Sequence, residues 1–405
     1  MPQKKIRCIL VNYRSPWEML KRCLDSVSDK GGNGCAVTLI DNASGDGVIG
    51  QVRAAYPEVR IIEMPVNAGF AAAVNRGIDD SSEPYLLMLN TDAVLTPGSL
   101  ELMKAGLDEA GPDCAGVAPK MMSSAHPGII DAVGTIMPKN GASFNRGIGQ
   151  CDLGQYDQSE EVAGVCFGVT LLRRELFEPE RVGPLFEGYF LYFEDSDWCM
   201  RACSQGYRFL TAPAAVVYHM HSGVIRNESL TFKYKLVELN TLKVVVRTFD
   251  SRRRAAAIVT SRCARLLART FIRRRFIAAN ISTLASFTAA LPGLLSQRRA
   301  LKVRRVTGDS RIFQLADGED AYFDTISYEP DRCLESLIAN YERLLKGRKD
   351  PETGKRLAVL YRLRQEQGKN VGSAAAHRYL ELFTGETECV RRLLERALGE
   401  TAPAA

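Results

Sequence analysis

Along the first half of the chain, short apolar runs alternate with polar or helix-patterned segments. Residues 6–12, 37–40, 59–63 and 85–89 are dense in Ile, Val and Leu and read as strands, each ending in a polar cluster. Residues 16–27 read as a helix, with Ser15 placed to cap it and Pro16 at its first position. Residues 69–78 read as a second helix. This alternation predicts an α/β fold, Rossmann-like, with a mostly parallel central sheet and flanking helices. In such sheets ligands bind at the carboxyl ends of the strands, where the polar clusters fall. Further strands are expected at 165–172 and 208–217, with a helix at 197–205 ended by Gly206.

Past residue 225 the pattern becomes long-period and helical. In 255–276, Val259, Cys263, Leu266, Leu267 and Phe271 share one face while Arg262, Arg265, Arg269 and Arg273 fall on another, the mark of a basic amphipathic helix. Residues 276–297 are 22 uncharged positions, interrupted by Asn280 and by Pro292-Gly293, and are expected to form a re-entrant or interfacial hairpin rather than a full crossing. Helical segments are expected at 334–345, 356–365 and 374–398. The chain thus divides into a catalytic domain over 1–225, basic membrane-associating helices over 226–305, and a helical C-terminal region over 306–405 to which no chemistry attaches.

At 405 residues and 46% hydrophobic content, two or three domains are expected. The first apolar run is too short for a signal peptide or a span, which predicts a cytoplasmic protein. Charge sharpens the division. Residues 240–305 carry 16 Lys and Arg against Asp250 alone, so this segment is +15 and, the whole chain being +6, the remainder is −9. A segment of this kind calls for an anionic partner. It adjoins the uncharged stretch, and its aromatics (Phe249, Phe271, Phe276, Phe287) do not interleave as a base-stacking platform would. The expectation is therefore an anionic membrane surface and no nucleic acid, with the protein peripheral on the inner face of the cell membrane. The 11 cysteines include no Cys-x-x-Cys pair and are read as reduced, structural thiols.

Four clusters carry candidate chemistry. Asp41-Asn42-Ala43-Ser44 stands at a strand end, where a carboxylate and an amide can address a nucleobase edge or ribose hydroxyls; the same residues also make a plain turn. Asn67-Ala68-Gly69-Phe70 is followed by Asn75-Arg76-Gly77 and, after the next strand, by Asn90-Thr91-Asp92. Arg76 offers a fork to a diphosphate and Asp92 a hard oxygen for Mg²⁺ or Mn²⁺. Each has a structural alternative in turn or surface chemistry. In 186–198, Glu194, Asp195 and Asp197 crowd three carboxylates among aromatics and lead into Trp198. Desolvation and like charge there favour a general base, the alternative being helix capping. Finally, His219 and His221 stand at a strand end, within reach of a metal or a diphosphate.

Taken in order, Val11-Asn12-Tyr13, Asp41-Asn42-Ala43-Ser44, Asn67-Ala68-Gly69-Phe70, Asn75-Arg76-Gly77, Leu89-Asn90-Thr91-Asp92, the block from Tyr192 to Asp197, and Tyr218-His219 resemble the family 2 glycosyltransferases of GT-A fold. The likeness covers residues 5 to 245 and is strongest for the rhamnosyltransferase-like branch that builds bacterial envelope polysaccharides such as O-antigen. It implies that Asn12, Asp41, Asn42, Asn67, Gly69, Asn75, Arg76 and Asn90 line the donor pocket. Asp92 and His219 would hold the metal, Mg²⁺ or Mn²⁺, and Asp195, beside Glu194, would be the base of an inverting transfer. The implied donor is a nucleoside-diphosphate sugar, first of all dTDP-rhamnose, and the implied acceptor a lipid-linked or polysaccharide glycan. A UDP-hexose donor, or a catalytically silent membrane scaffold, are the alternatives. The sequence departs from the family pattern at Asn90, which stands where an aspartate usually leads the Asp-x-Asp motif, and at the 183–188 loop.

Overall fold

The computed structural model describes residues 5–28, 33–124, 130–148, 150, 152, 154–220, 230–272 and 276–316, with a few further positions between 338 and 361. The elements follow in chain order: β1 (Ile6–Asn12), α1 (Trp17–Val27), β2 (Ala36–Asp41), α2 (Val48–Ala55), β3 (Arg60–Glu63), α3 (Phe70–Asp79), β4 (Tyr85–Asn90), β5 (Ala93–Leu95), α4 (Ser99–Glu109), β6 (Cys114–Ser123), β7 (Ile130–Ala132), β8 (Thr135–Ile136), β9 (Phe144–Asn145), β10 (Glu161–Val162) and β11 (Val169–Arg173). Then come α5 (Glu194–Ser204), β12 (Arg208–His219), α6 (Leu230–Thr248), α7 (Arg252–Ile272), α8 (Ile277–Arg304) and the short α9 (Ser310–Leu315).

The main sheet runs β10-β12-β6-β11-β4-β1-β2-β3. Strands β3, β2, β1 and β4 are mutually parallel, as are β6 and β12; β11 lies antiparallel between β4 and β6. Alternate residues of a strand face opposite sides, and β1 shows the result. Ile9 packs with Val74, Trp198 and Phe209 on one face, while Cys8 and Leu10 pack with Leu20, Leu24 and Leu100 on the other. Both faces are covered, so the parallel strands are apolar runs rather than alternating ones.

Several expectations change in detail. Ser15 does not cap α1; its hydroxyl bonds Thr91 Oγ1 at 2.8 Å instead. The expected strand at 165–172 starts only at Val169, and α5 starts at Glu194 rather than 197, which places all three carboxylates in its first turn. Residues 276–297 do not fold back on themselves. They belong to the single helix α8, which runs through Pro292. Pro292 is exposed, so water can satisfy the carbonyl its ring leaves without a donor. The hairpin is made instead by α7 and α8 together.

The division expected near residue 225 does not separate two cores. Val244, Val245 and Phe249 of the α6 region, with Ile312 and Phe313 of α9, belong to the same buried cluster as Ile9, Met88 and Trp198. The helical segments expected at 334–345, 356–365 and 374–398 lie outside the described residues, apart from isolated positions.

Candidate active site

At the carboxyl edge of the sheet three side chains meet. Strand β5 pairs with the end of β12, setting Ala93 opposite His219, and the Met220 amide donates to the Asp92 carbonyl at 2.9 Å. Asp92 and His219 are thereby side by side, with Nε2 of the imidazole 3.1 Å from Asp92 Oδ1. Strand β7, paired to β6, brings Asp131 to the other ring nitrogen, with Oδ2 at 2.7 Å from Nδ1. All three residues are buried. Burial alone would lower the His219 pKa, but the hydrogen bonds and charges of Asp131 and Asp92 more than offset it and raise it to about 10. The two carboxylates thus favour the charged form of the ring, whose Nε2 proton a bound metal would displace.

The same geometry suits a divalent metal. Cis ligands of an octahedral ion at about 2.0–2.1 Å lie about 3 Å apart, close to the Asp92–His219 separation. A carboxylate on the far nitrogen, as Asp131 supplies, is the usual way a metal-binding imidazole is fixed in orientation and tautomer. Among the described residues no group of three or more His, Cys, Asp or Glu is placed to hold a metal ion by itself, and here only Asp92 and His219 Nε2 would reach one. An ion held here would complete its shell with water and diphosphate oxygens, as Mg²⁺ commonly does. His221 lies outside the described residues.

Beside this edge, the loops after β1, β2 and β3 are tied by their own polar side chains. Asn12 Nδ2 donates to Asp41 Oδ1 (2.8 Å) and Ser44 Oγ (3.0 Å), and the Ser44 amide donates to Asp41 Oδ2 (3.2 Å). Asn42 Nδ2 donates to Asn67 Oδ1 (2.9 Å) and to the Gly69 carbonyl (3.2 Å), while its Oδ1 accepts from the Ala68 amide (3.0 Å). Asn12, Asp41 and Asn42 are all at most 5% exposed. Much of their hydrogen-bonding capacity is thus spent in holding the strand-end loops together.

Gly69 has φ 88°, and a Cβ there would overlap the Phe190 carbonyl, which accepts from the Phe70 amide at 2.6 Å. Its lack of a side chain lets the loop before α5 close on the start of α3. Asn75 faces the same loop: Nδ2 donates to the Leu185 carbonyl and to Glu187 Oε1, both at 3.0 Å, and Oδ1 accepts from the Leu185 amide. Asn90 donates its amide to the Gly168 carbonyl at 2.8 Å. Arg76 is exposed on α3, next to the buried Asn75 and Gly77.

The loop over 186–193 then delivers the carboxylates. Phe190, Tyr192 and Phe193 all have positive φ (66°, 68° and 73°), a costly conformation for bulky residues that persists only where surroundings enforce it. Asp195 is partly exposed, and its Oδ1 accepts from the Ser196 amide (2.6 Å) and hydroxyl (3.1 Å). Burial pushes its carboxyl up, and the Ser196 bonds hold it back. Glu194 is 6% exposed, with no hydrogen-bond partner at Oε2 among the described residues. Burial first, and the Asp195 charge second, push it well above the usual carboxylate range. Both carboxyls are thus pushed upward, Glu194 the further, and Asp195 is the more accessible of the two.

Asp197 and Trp198 belong to the support, not to the cleft. Asp197 is fully buried, paired to Arg201 at 2.9 Å and to Arg247. Burial raises its carboxyl, but the two guanidinium groups outweigh that and hold it low. Trp198 is fully buried, stacks on Phe177 at 4.5 Å and donates to the Gly183 carbonyl at 2.9 Å.

What enforces the strained loop is α6. Asn240, fully buried, donates from Nδ2 to the carbonyls of Tyr189 (3.1 Å), Leu191 (2.8 Å) and Tyr192 (3.0 Å). Lys243 donates to the Gly188 carbonyl at 2.5 Å, and Arg247 both pairs with Asp197 and lies over the Phe186 ring at 4.4 Å. Sequence reasoning missed these residues and Asp131. For α6 a signal existed, since Asn240, Lys243 and Arg247 fall at i, i+3 and i+7, one face of a helix. For Asp131, in a three-residue strand, there was none.

With the geometry in hand, comparison with known proteins assigns the chain. The family model "Glycosyl transferase family 2" matches residues 8–179. A curated relative, N-acetylglucosaminyl-diphospho-decaprenol L-rhamnosyltransferase of Mycobacterium tuberculosis, is 30% identical over 239 residues, which are 52% of this chain and 74% of that protein. The chain belongs to the family 2 glycosyltransferases. Among solved structures, Staphylococcus aureus TarS 1–349 is similar at 14% identity and TM-score 0.46, over 77% of this chain and 90% of that one. GalNAc-T7 with UDP, GalNAc and Mn²⁺ is similar at 14% identity and TM-score 0.48, over 62% of this chain and 49% of that one, so this chain spans about half its length. As a family 2 glycosyltransferase, the chain shows the expected GT-A arrangement, a mostly parallel sheet with flanking helices and a helical C-terminal part.

Proposed function

We propose that this glycosyltransferase is an inverting, metal-assisted enzyme. It moves L-rhamnose from a dTDP-linked donor to a lipid-linked acceptor of cell-envelope glycan synthesis, at the cytoplasmic face of the membrane. The observation that carries the metal and the reaction is the arrangement of Asp92, His219 and Asp131 at one end of the cleft edge, with Asp195 alone accessible among the α5 carboxylates. Donor sugar and acceptor class rest on the relative's name.

In this reading Asp92 and His219 Nε2 hold Mg²⁺ or Mn²⁺, and Asp131 keeps the ring oriented. The bound ion supplies charge neutralisation of the leaving diphosphate. Asp195 accepts the proton of the acceptor hydroxyl as that oxygen attacks the anomeric carbon; the bond from that carbon to the diphosphate oxygen breaks, and configuration inverts. Asp195 rather than Glu194 takes this part because it is the accessible carboxyl of the two. The strand-end loops tied by Asn12, Asp41, Asn42 and Asn67 form the nucleoside side of the cleft.

The test is turnover of the purified chain with dTDP-rhamnose, UDP- and GDP-sugars and a polyprenyl-diphosphate-GlcNAc acceptor, with Mn²⁺ or chelator, reading the product anomer by NMR. Transfer from dTDP-rhamnose alone, with inversion and loss on chelation, is expected. Transfer from another donor, retention, or full activity in chelator would overturn the corresponding part.

A further inference from the structure

The large apolar side chains exposed on this protein are concentrated on the α7–α8 hairpin. Leu267 is 52% exposed, Phe271 86%, Ile272 77% and Ile281 57%, with Ile277 at 36% and Leu295 at 42%. On α8, positions 277, 281, 285, 288, 292 and 295 are all exposed and recur every three or four residues, so they form one stripe along the helix. The opposite face, with Ala279, Phe287 and Leu294 buried, packs against α6. A solvent-facing helix would carry charge on its outer face. Helix α8 carries none between 277 and 297.

Charge flanks this stripe with one sign only. From 251 to 308 there are 14 Lys and Arg and no Asp or Glu. The hairpin is antiparallel, as Asn280 bonds Thr270 (3.2 Å) at one end and Arg298 bonds the Asp250 carbonyl (3.1 Å) at the other. The far end of the hairpin, where Phe271, Ile272 and Ile277 are exposed and three arginines, 273–275, lie between them in the sequence, therefore stands away from a base where Arg253, Arg254, Arg299 and Lys302 are exposed.

We propose that this exposed face is a docking surface for an anionic lipid bilayer, lying in its plane with the side chains of Phe271, Ile272 and Ile277 at the acyl boundary and the basic residues at the phosphates. Helix α8 is the one described helix long and apolar enough to cross a membrane by composition, at a mean hydropathy of 1.3 in its best window. It does not cross, because its inner face is fastened to α6. Tyr234 donates to the fully buried Asn280 at 3.0 Å, and Arg298 to the Val246 carbonyl at 2.7 Å. Spanning would strip these polar groups into hydrocarbon. Since α6 also grips the 186–193 loop, the docked hairpin holds the acceptor side of the cleft near the surface. The inference names the partner implied by a lipid-linked acceptor and rests on that reading for its biological sense.

The experiment is co-sedimentation of the full chain with phosphatidylcholine vesicles, with and without phosphatidylglycerol, at low and high salt. Binding is expected only with phosphatidylglycerol and is weakened by salt. It falls at least about tenfold in the double variant Phe271→Glu/Ile272→Glu and about fivefold for each of Arg253→Gln and Arg299→Gln. These side chains are exposed, so the thermal midpoint and the stabilisation by dTDP should be unchanged in every variant. Absence of vesicle binding, or binding indifferent to the Phe271→Glu/Ile272→Glu change, overturns the proposal. So does a wild-type dimer that this variant dissociates, which would assign the face to a second copy, or equally tight, Phe271-independent binding to duplex DNA. If vesicles bind but no nucleotide does, the catalytic reading fails and the docking surface stands.

Discussion

The two sides of the cleft are held by different means. Asp92, His219 and Asp131 are delivered by strands, and backbone pairing of β5, β7 and β12 brings them together. Asp195 instead follows a loop with three strained residues, enforced by side chains from α6, some 50 positions later in the chain. The first cluster needs only local strand pairing, whereas the loop before Asp195 needs a helix that lies beyond the sheet. Helix α6 therefore supports the candidate site, and truncation near residue 225 would leave the loop without its clamp.

The comparison can be broken at its strongest point first. Asp195→Asn keeps the loop bonds and removes the base, so turnover should fall by about a hundred- to ten-thousandfold with KM for donor nearly unchanged. An equal loss in donor binding, measured by calorimetry, would place Asp195 elsewhere in the mechanism. Next, Arg247→Met leaves Asp197 with one guanidinium. Breaking such a buried pair costs about 3–5 kcal/mol, to be read from urea unfolding, and a neutral result would show that α6 does not anchor α5. Asn240→Ala removes the donor to three carbonyls and should cost about 1–3 kcal/mol. Its kcat should fall more than its KM for donor changes, because the metal side is untouched.

The smallest effect concerns pH. Glu194 has its folded pKa raised, so the folded state keeps a proton that the unfolded chain loses. Its contribution to stability must therefore decline as pH rises from the unfolded carboxylate range toward the folded value. Glu194→Gln, which mimics the neutral acid, should raise the thermal midpoint at pH 8 and leave it nearly unchanged at pH 4. A lowered midpoint at pH 8 would mean that Glu194 is charged in the folded protein.

This division also explains what could be read from sequence. Of the four parallel strands, β1, β2 and β4 announced themselves because strands buried on both faces are continuous apolar runs, and β1 and β4 stand close to where the pattern put them. Asp92, Asp195 and His219 stood out as candidates because strand ends and helix starts leave short polar motifs, and the structure sets Asp92 beside His219. Asp197 stood as a lesser candidate beside Asp195, since sequence does not show that it is buried against Arg201 and Arg247 while Asp195 stays partly exposed. Asn12 and Asn42 likewise carry ligand-like chemistry that the fold uses largely for its own loops. The domain boundary failed because a change of period from strand to helix marks a change of element, not of core; Val244 and Phe249 pack with the sheet all the same.

The central claim is that Asp92 and His219 form a metal-dependent nucleotide site, and calorimetric titration of dTDP tests it most directly. It would be run with Mn²⁺ or chelator, on the wild type and on Asp92→Asn. The account predicts binding that requires Mn²⁺ and is lost in Asp92→Asn, while Asp195→Asn binds as the wild type does. Tight binding in chelator, or binding unchanged by Asp92→Asn, would contradict it.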